Sequence, residues 1–187
     1  MNTVTMMIST ESSIYGSILA EHAQFPAERT KPSWYLARYI ESGKNRENLF
    51  AWLTHNQAVP WTPLTIVRKK RADYGYRRSI APVFPGYFFL KMDFEALSID
   101  TLKRHSVFCD FVTVGHQMQS VSESLIDRLL RTWPDPGLCP GDTDNQSPPA
   151  LTHKQYALLA GIHGSTRPVS RIAMLMQLLA EDNITSP

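Results

Sequence analysis

Side chains able to make or break bonds are scattered along this 187-residue chain. His22, His55, His105, His116, His153 and His163 fall at no shared spacing with Cys109 and Cys139, and the two cysteines form no CxxC pair. Neither a zinc site nor a disulfide framework is indicated, and both cysteines are expected to be reduced, structural thiols. No Ser, His and Asp order surrounds a nucleophile turn, and no GxxxxGK stretch is present to cradle a phosphate. The chain is therefore expected to be no enzyme and to need no metal or cofactor. The chemistry left to it is recognition.

Two sets of residues could carry that recognition. Arg68, Lys69, Lys70, Arg71, Arg77 and Arg78 face only Asp73 within one short ribbon. Such a density either attracts phosphate, with binding that weakens steeply as salt rises, or guards a sheet edge against aggregation. The second set is the aromatic run Tyr87-Phe88-Phe89, preceded by Phe84-Pro85-Gly86. Rigid aromatic anchors supply much of the energy of protein interfaces. A strand has two faces, however, so half of such a run belongs to a core whatever the function.

Composition agrees with a soluble binding protein. The chain is 43% hydrophobic and 19% charged, and no apolar stretch approaches the roughly 20 residues needed to span a bilayer. Its net charge of +2 is uneven: Trp34 to Trp133 hold 14 Lys and Arg against 9 Asp and Glu, so the flanks are acidic. A basic middle between acidic flanks can attract phosphate while limiting nonspecific association. The opening segment carries Glu11, Glu21 and Glu28 and lacks a basic start followed by an apolar block, so a cytoplasmic protein is expected.

The elements that must position these residues follow from pattern. Residues 1–32 show no sustained period and read as a flexible extension. Trp34 to Ile40 is a strand, and Lys44 to His55 is a helix with Leu49, Trp52 and Leu53 on one face. Val59-Pro60-Trp61 is extended. Leu64 to Lys70 and Tyr76 to Ile80 form a hairpin about Ala72-Asp73-Tyr74-Gly75. Tyr87 to Met92 is a central strand, Glu95 to Arg104 a short helix, and Cys109 to Val114 a last strand. Ser120 and Glu123 make a capping-box pattern ahead of Leu125, Ile126, Leu129 and Leu130. This order predicts an α+β domain over 33–132, an antiparallel sheet flanked by helices.

Residues 133–150, rich in Pro and Gly, read as a linker. Beyond it, Thr152 and Gln155 form a second capping box, Gly161 is expected to end that helix, and Pro168 to start another. Val169, Ile172, Ala173, Met176, Leu179 and Ala180 recur at helical intervals up to Asn183. The segment 151–187 is thus a helical hairpin too short to enclose its own apolar faces, and it needs a surface to pack on.

Trp34-Tyr35-Leu36-Ala37, Val59-Pro60, Phe84-Pro85-Gly86-Tyr87-Phe88-Phe89-Leu90 and Asp110-Phe111-Val112-Thr113-Val114-Gly115 together resemble the amino-terminal domain of NusG-family transcription factors, over roughly Ser33 to Thr132. The chain is similar to the specialised, RfaH-like branch, because its tail lacks the strand pattern and KOW motif of the barrel that ends general members. The resemblance implies a monomeric elongation and antitermination factor serving a few long operons. It implies RNA polymerase as partner, gripped at the clamp helices of the largest subunit by a concavity lined by Tyr39, Phe84, Pro85, Tyr87, Phe89, Phe111 and Val114. Ser98 and Thr101 would make a second polymerase contact. Nontemplate DNA would be met by Lys44, Asn45, Arg46, Lys103, Arg104 and His105, and the basic ribbon would run beside upstream DNA. Leu158, Leu159, Ile172, Met176 and Leu179 would close over Tyr87 and Phe89 as an autoinhibitory cover; the alternative is a tail that contacts the ribosome or another partner. A rival from another class is a stand-alone nucleic-acid-binding module, although no RNP-type strand is evident.

Overall fold

The computed structural model describes residues 31–70, 72, 74–114, 117, 118, 120–134 and 151–185, and the side chains at 69, 70, 114, 117 and 183–185 lie outside that description. The extension expected at 1–32 falls outside it up to Thr30, as do Arg71 and the linker beyond Pro134. The described elements belong to one compact unit, Lys31–Pro187.

The centre is an antiparallel sheet. Strand β5 (Tyr87–Met92) lies between β2 (Val59–Trp61) and β1 (Ser33–Tyr39), and the far edge of β1 is shared by β6 (Phe108–Phe111) and β9 (Ser120–Val121). Side chains alternate between faces along a strand. Trp34 and Leu36 on β1 and Phe89 on β5 therefore enter one core, whereas Ala37, Tyr39, Phe88, Leu90 and Met92 enter another. Both faces are apolar, so the sheet requires cover on both sides.

One side is closed by α1 (Asn45–His55) and α2 (Ile99–Lys103), which bury Leu49, Leu53 and Leu102 against a chain of rings. Phe88 lies 5.3 Å from Phe50 and 6.5 Å from Phe108, and Phe108 lies 5.4 Å from Phe111, each pair tilted or edge-on. The other side receives α3 (Glu123–Thr132), α4 (His153–Gly164) and α5 (Pro168–Thr185). Strands β3 (Leu64–Lys70) and β4 (Tyr76–Pro82) form a separate two-stranded ribbon, as do β7 (Thr113–Val114) and β8 (Gln117–Met118).

Phe84 to Tyr87 makes the turn that enters β5. The Tyr87 N–H donates to the Phe84 carbonyl at 3.1 Å, with Pro85 and Gly86 as the central pair. Gly86 has φ of +77°, the left-handed value that the third position of a type II turn demands and that a side chain disfavours.

Several expected boundaries move. The helix expected over Glu95 to Arg104 shortens to Ile99–Lys103, because the Asp93 carboxylate accepts the Glu95 N–H in a turn and Ser98 caps the helix instead. The strand expected over Cys109 to Val114 divides at Val112, and its second part turns into the β7–β8 ribbon. Ser120 does not cap α3: its backbone pairs with Tyr35 in β9, and the cap is Ser122, whose Oγ accepts the Leu125 N–H. The Thr152–Gln155 box is formed, with both reciprocal bonds present. Gly161 does not end α4, which runs on to Gly164. Gly161 instead marks a close approach, since a Cβ there would lie 2.7 Å from the Met174 sulfur on α5.

Leu53 is fully buried beneath α1. Leu53→Ala should cost about 2–5 kcal/mol of stability by urea unfolding, the range for an aliphatic cavity of this kind. A loss below about 1 kcal/mol would contradict the packing described for this side of the sheet.

Candidate functional site

The face of the sheet bearing Trp34, Leu36 and Phe89 is where the two halves of the chain meet. Trp61 stacks on Phe89 with ring centres 5.4 Å apart, and Phe84 meets Trp133 edge-on at 6.3 Å. Phe84 and Phe89 are buried in one cluster that also holds Leu159 and Ile162 of α4 and Leu175, Leu178 and Leu179 of α5. Tyr87, Leu158, Ile172 and Met176 are partly buried against the same cluster. The ring of His163 on α4 stands 6.1 Å from Trp133, continuing the contact to the end of α3.

Polar groups fix the register of this junction. The buried Asp182 carboxylate on α5 accepts the Ser122 N–H at 3.0 Å and the Ser122 hydroxyl at 2.7 Å. A carboxylate is thereby held at the N-terminus of α3, where unpaired N–H groups and the helix dipole favour negative charge. At the other end of α5, the buried Arg171 guanidinium donates through Nη1 to the Val83 carbonyl at 3.0 Å and through Nη2 to the Thr166 carbonyl at 3.4 Å. Its Nε has no partner among the described residues. Lys154 and Glu181 pair across α4 and α5.

The periodicity of the last helix catches only part of the buried stripe: Leu179 is buried and Ile172 and Met176 are partly buried against the same cluster. Val169 is 80% exposed, and Ala173 and Ala180 are exposed too, whereas Arg171, Leu175, Leu178, Leu179 and Asp182 are buried. Arg171, Leu175, Leu178 and Asp182 follow helical spacing, and the two charges close off the ends of an apolar pair. The signal was an i, i+4, i+7, i+11 set with charged ends, which a count of apolar residues alone passes over.

The residues expected to line one concavity are not brought together as a set. Phe84, Pro85, Tyr87 and Phe89 belong to the turn and strand facing α4 and α5, but Tyr39 and Phe111 lie in the opposite core beneath α1 and α2. Burial raises the Tyr39 phenol above its ordinary value, and the charge of Glu41 adds to that. The Val114 side chain lies outside the description. Arg38, exposed on β1, pairs with Tyr87 and therefore shares the face of Trp34 and Leu36.

The other expected contacts are partly committed already. Lys44 is the exposed residue preceding α1, Asn45 donates to the Ile40 carbonyl at 3.0 Å, and Arg46 pairs with Glu47 at 2.7 Å. Both members of that pair keep contact with water, and an ion pair of this kind contributes at most about 1 kcal/mol. Lys103 approaches Asp110 at 3.5 Å, Arg104 is exposed, and His105 packs on Trp52 at 4.9 Å while its Nδ1 accepts the Val107 N–H. Ser98 and Thr101 are bound to each other: the Ser98 Oγ accepts the Thr101 N–H, and the two hydroxyls lie 2.9 Å apart.

On the β3–β4 ribbon, Arg68 stands directly opposite Arg78, and Lys69 opposite Arg77. Like charges in direct cross-strand register disfavour a hairpin. Ile66 and Ile80 are likewise opposite each other and are 66% and 70% exposed. The ribbon thus presents, on one face, an apolar pair beside an arginine pair.

Among the described residues, no group of three His, Cys, Asp or Glu is placed to hold a metal ion, and no helix is long and apolar enough to cross a membrane. The family profile described as "Transcription termination factor nusG" matches residues 32–130. No curated protein matches the chain significantly.

Asp182→Ala removes two hydrogen bonds to a buried carboxylate, each worth about 1.5–3 kcal/mol. Hydrogen exchange should then accelerate by tenfold or more in α5 and β5 while α1 keeps its protection. Equal acceleration throughout would mean that Asp182 supports the whole fold rather than the junction.

Proposed function

Because the chain belongs to the NusG family of transcription elongation and termination factors, we propose that it is an operon-specific elongation and antitermination factor that binds RNA polymerase through its aromatic sheet face. Phe84, Pro85, Tyr87 and Phe89 are the anchors of that contact, and the clamp helices of the largest subunit are the surface they meet. The factor suppresses pausing and termination by contact alone, with no bond chemistry.

The observation that carries this reading is the shared core of Phe84 and Phe89 with Leu159, Leu175, Leu178 and Leu179. An aromatic patch that would otherwise face water calls for a partner. Here the tail helices serve as the partner in the resting state, and polymerase displaces them. A ligand can shift such an equilibrium only through a difference in affinity between the two states. Polymerase supplies that difference, because it can seat on the face only where the tail has left it; nontemplate DNA adds affinity through Lys44, Arg46, Lys103 and Arg104, a basic rim on the α1–α2 side. Asn45 and His105, already bonded within the fold, set the shape of that rim.

The ribbon supports contact with duplex DNA. Two like-charge cross-strand pairs cost stability unless an anion lies against them, and phosphate is the anion at hand on a transcribing template. This same feature favours the second reading, a nucleic-acid-binding regulator that acts without polymerase.

Two experiments separate these readings. After nuclease treatment, the tagged full chain should retain RNA polymerase, and Asp182→Ala should retain about tenfold more, as expected for release of a cover held by at least 1.4 kcal/mol. Loss of polymerase on nuclease treatment favours the stand-alone reading. In duplex DNA binding, Arg68→Gln with Arg78→Gln should lower the slope of log affinity against log salt by about 2, near 0.9 for each phosphate that is no longer neutralised. An unchanged slope removes the ribbon from the DNA interface.

A further inference from the structure

Between α3 and α4 lies an open cleft of about 570 Å³, a volume typical of small-molecule sites. Its apolar wall is Leu151, Tyr156, Leu159 and Ala160; its polar wall is Arg128 and Arg131, one turn apart on α3, together with Thr132 and His163. Among the described residues no carboxylate lines it, and neither arginine pairs with an acid. Arg128 is the unusual member, because its Nη2 is buried and has no hydrogen-bond partner among the described residues. A guanidinium nitrogen in that position ordinarily forfeits about 1–3 kcal/mol unless something accepts from it. Burial, and then the neighbouring charge of Arg131, pull its pKa below the ordinary value. Tyr156 faces the same cleft and is 67% exposed.

We propose that this cleft binds a small organic anion with a flat apolar body, its acidic group held by Arg128 and Arg131 and its ring laid against Tyr156 and Leu159. Planar guanidinium groups match a carboxylate, sulfonate or phosphate in two-point geometry, and a cation pair one turn apart is relieved by such an anion. The aromatic wall gives the body of the ligand a surface that a simple inorganic anion cannot use. Because one wall belongs to α3 and the other to α4, an occupant ties the tail to the sheet domain. That regulatory consequence rests on the covering role of the tail proposed above, whereas the binding test is independent of it.

The test is a fluorescence titration of the full chain with 1-anilinonaphthalene-8-sulfonate and with N-phenyl-1-naphthylamine, which has the same rings without the charge. The sulfonate should bind at one saturable site about tenfold more tightly than the neutral compound, the gain expected of one charge-assisted contact. Arg128→Met with Arg131→Met should abolish that preference and leave the weak neutral binding in place, with the circular dichroism spectrum unchanged. Tyr156→Ser, a surface change that cannot unfold the core, should weaken both compounds. Equal affinity for the two compounds, insensitivity to both variants, or no saturable binding overturns the proposal, the last because the arginines would then be matched from within the chain.

Discussion

A single constraint organises this molecule: its central sheet is apolar on both faces, and each face must be kept from water. The α1–α2 layer closes one face from within the sheet domain, through Leu49, Leu53, Leu102 and a continuous set of edge-on rings. On the other face α3 contributes Leu125, Ile126, Leu129 and Leu130, and the rest of the cover comes from α4 and α5. Burying five further aliphatic side chains at roughly 1.5–3 kcal/mol each is a gross gain large enough to order two short helices that would be marginal alone. The same area is what a partner must replace in order to bind there.

Apolar area holds the tail down but does not fix where it sits. That task falls to a few polar groups at the rim of the junction. Asp182 completes the cap of α3 from outside the helix, and Arg171 satisfies a loop carbonyl at Val83. Their energies, about 1.5–3 kcal/mol for each bond to a charged group, are small beside the burial term. They are nonetheless of the size that moves a closed-to-open ratio by ten- to hundredfold. A cover assembled from a large nonspecific term and small specific ones can be stable at rest and still yield to a modest difference in binding.

The sequence made the order of elements and the family legible because the strands are aromatic and punctuated. Phe84-Pro85-Gly86-Tyr87 reads as a turn into a buried strand, and the structure forms that turn with Gly86 at positive φ. What could be read only in part was which face each ring takes. Counting by twos along β1 separates Tyr39 from Trp34 and Leu36, so that part of the split was available. Phe111 was not: Phe108 and Phe111 are three apart and should oppose each other, but the register shifts between Arg38 and Tyr39 and returns both to one core. The Asp182–Ser122 contact spans 60 residues, and nothing local announces it. The cap of α3 was misplaced by two residues, because the pairing of Ser120 with Tyr35 of β1, which takes it into β9, is a contact that the local pattern does not show.

The claim on which the account rests is that polymerase and the tail compete for one aromatic face. Ser122 and Asp182 adjoin each other across the α3–α5 junction, so cysteines at the two positions can be joined by a short reducible thiol crosslinker that fastens the tail in place. RNA polymerase binding by this variant, measured before and after reduction of the crosslink, should be at least about tenfold weaker in the fastened form, a difference of about 1.4 kcal/mol. Equal binding in the two forms would show that the face beneath α4 and α5 is not the one polymerase uses.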